Sequence, residues 1–236
     1  LQGFKTLEMK RIAVILISSV FVISCSKEST VTESLISNSQ QATKSLVLEE
    51  ISSAVNSTAI TGYSLYTIYK GSQFCTPRPL KSIKTSEMKF YAYFDNSAIY
   101  NLNNADQYDI NKLWGFSEGF NNQYNSCRIG WAYHDGTFDG TNEIALSKLR
   151  LFAYSYAKGK VYWKEITSVP INTDIYCSIK LSGSQYTCSV NVNGVTTSVT
   201  VPRGTTASTA SGYQQYPYFG GNQVAPQDIF IRIKPM

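Results

Sequence analysis

Aromatic and basic side chains alternate with apolar ones along three segments of the chain, and these polar positions are the ones that could do chemistry. They are Lys89, Tyr91, Tyr93, Arg128, His134, Arg150, Tyr154 and Tyr156. A tyrosine ring has a flat apolar face and a polar edge, which suits a sugar ring, and basic groups can pair with uronate or sulfate. The pattern therefore predicts a glycan-binding surface whose partner is a polysaccharide or oligosaccharide, with acidic polysaccharide as one such ligand.

Two other functions are consistent with the same residues. β-Elimination of a uronate requires a group that stabilises the carboxylate, a base and an acid, and Arg128, His134 and Tyr154 could take these roles. His134 is the single histidine of the chain, which excludes a zinc site with several histidines. Strands also carry tyrosines because aromatic residues have high β propensity, so a structural or adhesive surface protein is the third interpretation.

An acidic segment follows His134 directly. Asp135, Asp139 and Glu143 are interleaved with glycine and asparagine, as in a loop. A solvated turn is the first interpretation, and calcium is the alternative because this ion prefers hard oxygen ligands. The sequence predicts no other metal and no cofactor.

The N-terminal segment has the pattern of an export signal. A basic cluster, Met9-Lys10-Arg11, precedes an apolar run that is too short to span a bilayer. The run ends in Val22-Ile23-Ser24-Cys25, which resembles the lipobox of bacterial lipoproteins, and Ser26-Lys27-Glu28 resembles the surface-export tags of Bacteroidetes lipoproteins. The resemblance implies acylation of Cys25 and a lipid-anchored protein of the bacterial cell envelope, at the outer membrane.

These features predict three parts of the chain. Upstream residues and the signal peptide occupy 1–24, the lipidated cysteine and a polar tether occupy 25–59, and a β-sandwich domain occupies 60–236. The formal net charge is +5, but lysines and arginines form no continuous run. The sequence therefore gives no support for nucleic acid as a partner.

The cysteines of an exported protein are potential disulfide partners. If Ser182-Gly183 is a two-residue turn, Cys177 lies opposite Cys188 and the two could form a disulfide. A slip of one residue would instead place Cys177 opposite Val190. The alternative is that both are buried free thiols.

Short alternating segments separated by turn residues position the polar groups listed above. Apolar residues at 88, 90, 92 and 94, at 129, 131 and 133, and at 149, 151 and 153 predict core faces, and the residues between them point outward. Asn193-Gly194 predicts a hairpin because both turn positions require positive φ. Trp163 alternates with Val161, and we expect it to be buried. About ten strands without a helical pattern predict an all-β protein, an antiparallel two-sheet jelly-roll β-sandwich.

Three motifs resemble the concanavalin-A-like lectin/glucanase superfamily over about residues 60 to 235. They are the strand Ser86-Glu87-Met88-Lys89-Phe90, the hairpin Val192-Asn193-Gly194, and the segment Tyr216-Pro217-Tyr218-Phe219-Gly220-Gly221 before the last strand. The Glu-x-Asp-x-x-Glu motif of the superfamily's glucanases is absent from the sequence. The proposed elimination roles look somewhat like the alginate-lyase branch, but its Gln-x-His and Tyr-x-Lys-x-Gly-x-Tyr motifs are also absent. The resemblance implies a fold rather than a substrate.

Overall fold

The computed structural model describes residues 61–134 and 149–236, and this part of the chain forms two antiparallel β-sheets. The strands are β1 (Ser64–Ile68), β2 (Cys75–Thr76), β3 (Ser82–Thr85), β4 (Glu87–Phe94), β5 (Asn111–Ser117), β6 (Asn125–Tyr133), β7 (Leu149–Ala157), β8 (Lys160–Val169), β9 (Ile175–Ser182), β10 (Gln185–Val192), β11 (Val195–Pro202), β12 (Ala210–Gln215) and β13 (Ile229–Pro235). Two short 3-10 helices, Asn96–Ala98 and Ala105–Tyr108, lie between β4 and β5. None of the helices within these ranges is long and apolar enough to cross a bilayer.

One sheet has seven strands in the order β11-β10-β9-β4-β13-β1-β2, and the other has six in the order β3-β12-β5-β6-β7-β8. Alternation of side chains puts one face of each sheet into a shared core, which includes Phe90, Phe94, Trp131 and Tyr133. The predicted antiparallel two-sheet jelly-roll β-sandwich is therefore confirmed.

The predicted hairpin at Asn193-Gly194 is confirmed, since both residues have positive φ and join β10 to β11. The preceding turn differs from the prediction by one residue. Ser182 pairs with Gln185, so the turn is Gly183-Ser184. A two-residue turn at this position requires positive φ, and Gly183 supplies it.

The predicted disulfide between Cys177 and Cys188 is wrong because this shift changes every pair on the two strands. Cys177 lies opposite Val190, and Cys188 lies opposite Ile179. Both cysteines are buried free thiols in the structure. The slipped alternative is the one the chain adopts.

Candidate functional site

The outer face of the six-stranded sheet carries a row of residues that are paired across four strands. Gly115 of β5 lies opposite Arg128 of β6, Arg128 lies opposite Tyr154 of β7, and Tyr154 lies opposite Trp163 of β8. A Cβ atom added to Gly115 would lie 2.9 Å from Cγ of Arg128. The missing side chain at Gly115 therefore leaves room for the Arg128 stem to lie against the sheet.

A second row runs beside the first across the same strands. Lys112 lies opposite Gly130, Gly130 opposite Phe152, and Phe152 opposite Glu165. Register irregularities accompany this row, one in β5 between Lys112 and Trp114 and one in β8 between Glu165 and Thr167, opposite Phe152 and Leu151. Such irregularities bend a strand and redirect its side chains. The two rows together form the floor of the candidate site.

Arg128 is the most unusual residue of this floor. Only 8% of it is exposed, and its Nε has no hydrogen-bond partner. No carboxylate in the described part of the chain forms an ion pair with its guanidinium. Burial lowers the pKa of Arg128. The phenols of Tyr154, Tyr156 and Tyr218 act in the opposite direction, but the effect of burial is larger. An arginine nevertheless remains charged in proteins. The floor therefore contains a buried cation that has no carboxylate counter-ion within residues 61–134 and 149–236.

Lys112 adds a second cation. Its Nζ donates hydrogen bonds to the carbonyl oxygens of Ile110, at 2.6 Å, and Gly220, at 3.2 Å. The same Nζ lies 4.6 Å from the centre of the Tyr154 ring. Burial and the nearby charge of Arg128 lower the pKa of Lys112 to about 8. Lys112 therefore changes its charge close to neutral pH.

Tyr154 is a neighbour of both cations. Burial and the neighbouring phenol of Tyr156 raise the pKa of Tyr154 above its usual value. The rings of the two tyrosines are 5.9 Å apart and meet edge to face. Tyr154 is therefore a neutral phenol at neutral pH, and its hydroxyl can donate a hydrogen bond to a bound ligand.

His134 and Arg150 lie at the far end of the same face. Nδ1 of His134 is 3.4 Å from Nη1 of Arg150, and the imidazole packs against the ring of Tyr108 with centroids 4.7 Å apart. Arg150 forms a two-point ion pair with Glu165, in which Nε donates to Oε1 at 2.8 Å and Nη2 donates to Oε2. The charge of Arg150 is therefore neutralised within the protein.

Two adjoining clefts open onto this face. The larger, of about 480 Å³, is lined by residues that include Lys112, His134, Arg150, Tyr154 and Trp163. The smaller, of about 330 Å³, is lined by Phe74, Arg78, Pro79, Leu80, Asn122, Arg128, Gln214, Gln215, Tyr216, Pro217 and Tyr218. Lys112 and Tyr154 of the larger cleft are neighbours of Arg128 and Tyr218 of the smaller one. We call the two clefts together the groove.

The structure brings five of the eight predicted ligand-binding residues to this face. They are Arg128, His134, Arg150, Tyr154 and Tyr156. The other three, Lys89, Tyr91 and Tyr93, lie on β4, which pairs with β9 and β13 in the seven-stranded sheet. The prediction that these three residues share one surface with the other five is therefore wrong. Alternation along β4 fixes the side of the strand that points outward, but it does not fix the sheet to which the strand belongs.

The three residues proposed for elimination are spread along the groove. Arg128 and Tyr154 are direct cross-strand neighbours. His134 is six residues further along the chain from Arg128, which corresponds to about 20 Å along an extended strand. The geometry therefore joins the carboxylate-binding and acid roles at one point but places the proposed base at the other end of the face.

Sequence analysis missed several residues of the groove, among them Lys112, Trp163 and Tyr218. Lys112 lies at a bulge, where simple alternation fails. Trp163, predicted to be buried, is 61% exposed, and it packs edge to face on Phe152. Tyr218 belongs to the Tyr216–Gly221 segment, whose backbone pairs with Lys112. The aromatic and glycine content of that segment was the available signal for Tyr218.

Several predictions fall on residues that the structure does not describe. Asp135, Asp139 and Glu143, the calcium candidates, lie in 135–148, and Cys25 lies in 1–60. Within the described ranges, no three acidic, cysteine or histidine side chains come together in a way that could hold a metal ion. Lipidation of Cys25 and the calcium site stay predictions.

No family model and no curated protein matches the sequence. Solved structures similar to the chain include an alginate lyase from Klebsiella pneumoniae, with a TM-score of 0.43, 9% identity, and coverage of 63% of this chain and 57% of that one. Another is a polysaccharide lyase of family 18, with a TM-score of 0.42, 5% identity, and coverage of 75% and 88%. A third is the carbohydrate-binding module CBM66 from Bacillus subtilis, with a TM-score of 0.32, 9% identity, and coverage of 75% and 94%. The chain thus matches little more than half the length of the Klebsiella enzyme, and likenesses of this extent carry no argument about function.

Proposed function

We propose that the groove on the six-stranded sheet binds an acidic polysaccharide. The observation that carries this proposal is Arg128, a buried guanidinium that faces the groove without a carboxylate partner in the described chain. Burying an uncompensated charge is unfavourable, so such a residue is retained where an external anion completes its interactions. The guanidinium fork matches the two oxygens of a carboxylate or sulfate group.

The charge balance of the groove supports an anionic ligand. Arg150 is neutralised by Glu165, but Arg128, Lys112 and the exposed Arg78 remain as cations. Asp109 also lines the larger cleft, and its negative charge raises the pKa of Lys112. Positive charge therefore exceeds negative charge where the two clefts meet, and it attracts anions at low ionic strength.

The aromatic residues of the groove support a sugar rather than a small inorganic anion. Trp163 presents an exposed indole at one wall, and Tyr154 lies on the floor beside both cations. Tyr218 meets Phe74 edge to face at 5.1 Å on the other side. Aromatic rings that line the groove offer apolar faces to sugar rings, while the cations bind the charged substituents.

The test is a binding assay with two matched pairs of polymers. Polygalacturonate is compared with its methyl-esterified form, and dextran sulfate is compared with neutral dextran, by affinity electrophoresis and calorimetry at low ionic strength. We expect binding to the charged member of at least one pair and none to its neutral counterpart. Equal retention of both members would contradict the role of charge, and the absence of binding to every polymer would overturn the proposal.

The cross-strand pairing of Arg128 with Tyr154 favours one further candidate function, a polysaccharide lyase that acts by β-elimination. Arg128 would stabilise the uronate carboxylate, and the protonated phenol of its cross-strand neighbour Tyr154 would give its proton to the leaving oxygen. Lys112, with a pKa of about 8 and adjacent to both, is better placed than His134 to remove the α-proton. New ultraviolet absorbance of an unsaturated uronate would indicate the lyase, whereas binding without a product would indicate a binding module.

We propose in addition that the protein is anchored to the bacterial outer membrane through acyl chains on Cys25. The support is the apolar run that ends in Val22-Ile23-Ser24-Cys25, and more than one acyl chain on a cysteine gives a stable anchor. Metabolic labelling with a fatty acid should label the wild-type chain and not the Cys25→Ser variant. Labelling of that variant, or fractionation of the wild type with soluble proteins, would refute the anchor.

A further inference from the structure

Two buried cysteines face each other across the core. Cys127 lies on β6 of the six-stranded sheet and Cys188 on β10 of the seven-stranded sheet. Their Sγ atoms are 3.5 Å apart, and neither residue is exposed. The two thiols therefore form a contact between the sheets rather than within one of them.

The other two described cysteines lack such a partner. Cys177 is on the strand next to Cys188 but is offset from it, since Cys188 pairs with Ile179. Diagonal neighbours of this kind have Cβ atoms about 7 Å apart, whereas a disulfide needs about 4 Å. Cys75 lies at the far edge of the seven-stranded sheet, where its Sγ contacts the carbonyl oxygen of Pro77 at 3.6 Å.

We infer that Cys127 and Cys188 are a redox pair that closes to a disulfide linking the two sheets. The sulfur atoms, now 3.5 Å apart, need to approach by about 1.5 Å to reach a bond length of about 2.05 Å. The inference does not depend on what the groove binds.

The oxidant is a low-molecular-weight disulfide such as glutathione disulfide. The thiolate of one cysteine attacks it, forms a mixed disulfide and releases one glutathione thiolate. The thiolate of the other cysteine then attacks the protein sulfur of the mixed disulfide and expels the second glutathione. Two protein thiols lose two protons and two electrons, and one glutathione disulfide is reduced to two thiols.

The time at which the bond forms follows from the burial of the pair. Burial raises the pKa of the Cys127 thiol, and the thiolate is the reactive species. The folded protein therefore reacts slowly, and the bond forms during folding, while the two sheets bring the thiols together and before water is excluded from them. Once formed, it ties β6, which carries Arg128 beside Cys127, to the opposite sheet.

The sequence makes the pairing directly measurable, because trypsin separates all five cysteines. They fall on peptides 12–27, 71–81, 113–128, 165–180 and 181–203, which contain Cys25, Cys75, Cys127, Cys177 and Cys188 respectively. The full chain is unfolded and reduced, then refolded either with reduced and oxidised glutathione or with dithiothreitol. Free thiols are blocked with N-ethylmaleimide in denaturant before digestion without reductant and mass spectrometry.

We expect peptide 113–128 to be linked to peptide 181–203 after oxidative refolding and to be free after refolding in dithiothreitol. Cys177→Ala is the matched control, since it removes a buried thiol next to Cys188 and should keep this link. Cys188→Ala should lose it. A link between 165–180 and 181–203, or full blocking of both Cys127 and Cys188 by N-ethylmaleimide after oxidative refolding, would overturn the inference. The wild-type experiment decides the matter even if a variant fails to fold.

Discussion

Replacement of Arg128 by methionine should make the protein more stable and abolish most of its affinity for acidic glycans. Methionine keeps the aliphatic stem, whose Cγ lies against Gly115, and removes a guanidinium that is only 8% exposed and has no carboxylate partner in the described ranges. Desolvating an ion costs several kcal/mol, and replacing buried charges by apolar groups of similar volume stabilises proteins by about 1–4 kcal/mol. We expect Arg128→Met to increase the free energy of unfolding by about 2 kcal/mol, which raises the melting temperature by about 4–8 °C for a domain of this size.

The loss of affinity follows from the same side chain. Two charge-assisted hydrogen bonds from the guanidinium to a carboxylate or sulfate contribute about 1.5–3 kcal/mol each. A minimum loss of about 3 kcal/mol corresponds to binding that is about 100-fold weaker. Calorimetric unfolding gives the first quantity, and titration with whichever charged polymer binds the wild type gives the second.

A matched control is Arg232→Met in the seven-stranded sheet. Arg232 is also buried, but its Nη1 donates to Oδ2 of Asp95 at 2.8 Å. Breaking a buried pair leaves the other charge uncompensated and destabilises the fold, so this variant should melt at a lower temperature and bind glycan as the wild type does. A fall in the melting temperature of Arg128→Met, or unchanged glycan affinity, would refute the assignment of Arg128 as an anion-binding residue.

The remaining predictions concern the groove and the core. Trp163→Ala should weaken glycan binding about fivefold through the loss of about 1 kcal/mol of apolar contact, whereas Tyr162→Ala, on the other side of β8, should not; equal effects in a pull-down would contradict the stacking role. Because the pKa of Lys112 is about 8, this cation loses its proton as the pH rises through 8, so affinity for a polyanion should fall between about pH 7 and 9. Calorimetry across this range should show no such fall in Lys112→Met. The bond between Cys127 and Cys188 closes a loop of 61 residues, so reduction should lower the free energy of unfolding by about 4 kcal/mol, and equal denaturation midpoints with and without reductant would disprove it.

Local patterns predicted the strands and their faces well. Arg128 and Ile129 point to opposite sides of β6, as alternation requires, with Ile129 in the core and Arg128 beside the groove. The Asn193-Gly194 hairpin was equally predictable. These features depend on neighbours in the sequence, because a strand has a side-chain period of two and a tight hairpin requires specific backbone angles.

The environment of Trp163 shows where local patterns fail. It alternates with Val161 as a core residue would, yet β8 is an edge strand and its outer face forms one wall of a cleft. An apolar side chain on a strand is buried only if another element covers it. A covering element is distant in the sequence, so the alternation of apolar residues along β8 cannot show whether that face is covered.

The alternating aromatic and basic residues, taken alone, determined that the chain forms strands and which residues of each strand point outward. The tertiary structure decided which of these residues share a surface. It placed Tyr91 on one sheet and Tyr154 on the other, brought Lys112 beside Arg128, and set Cys127 against Cys188. The reason is that the side on which a residue lies is a local property of the backbone, whereas strand order and register are set by pairing and packing between distant segments.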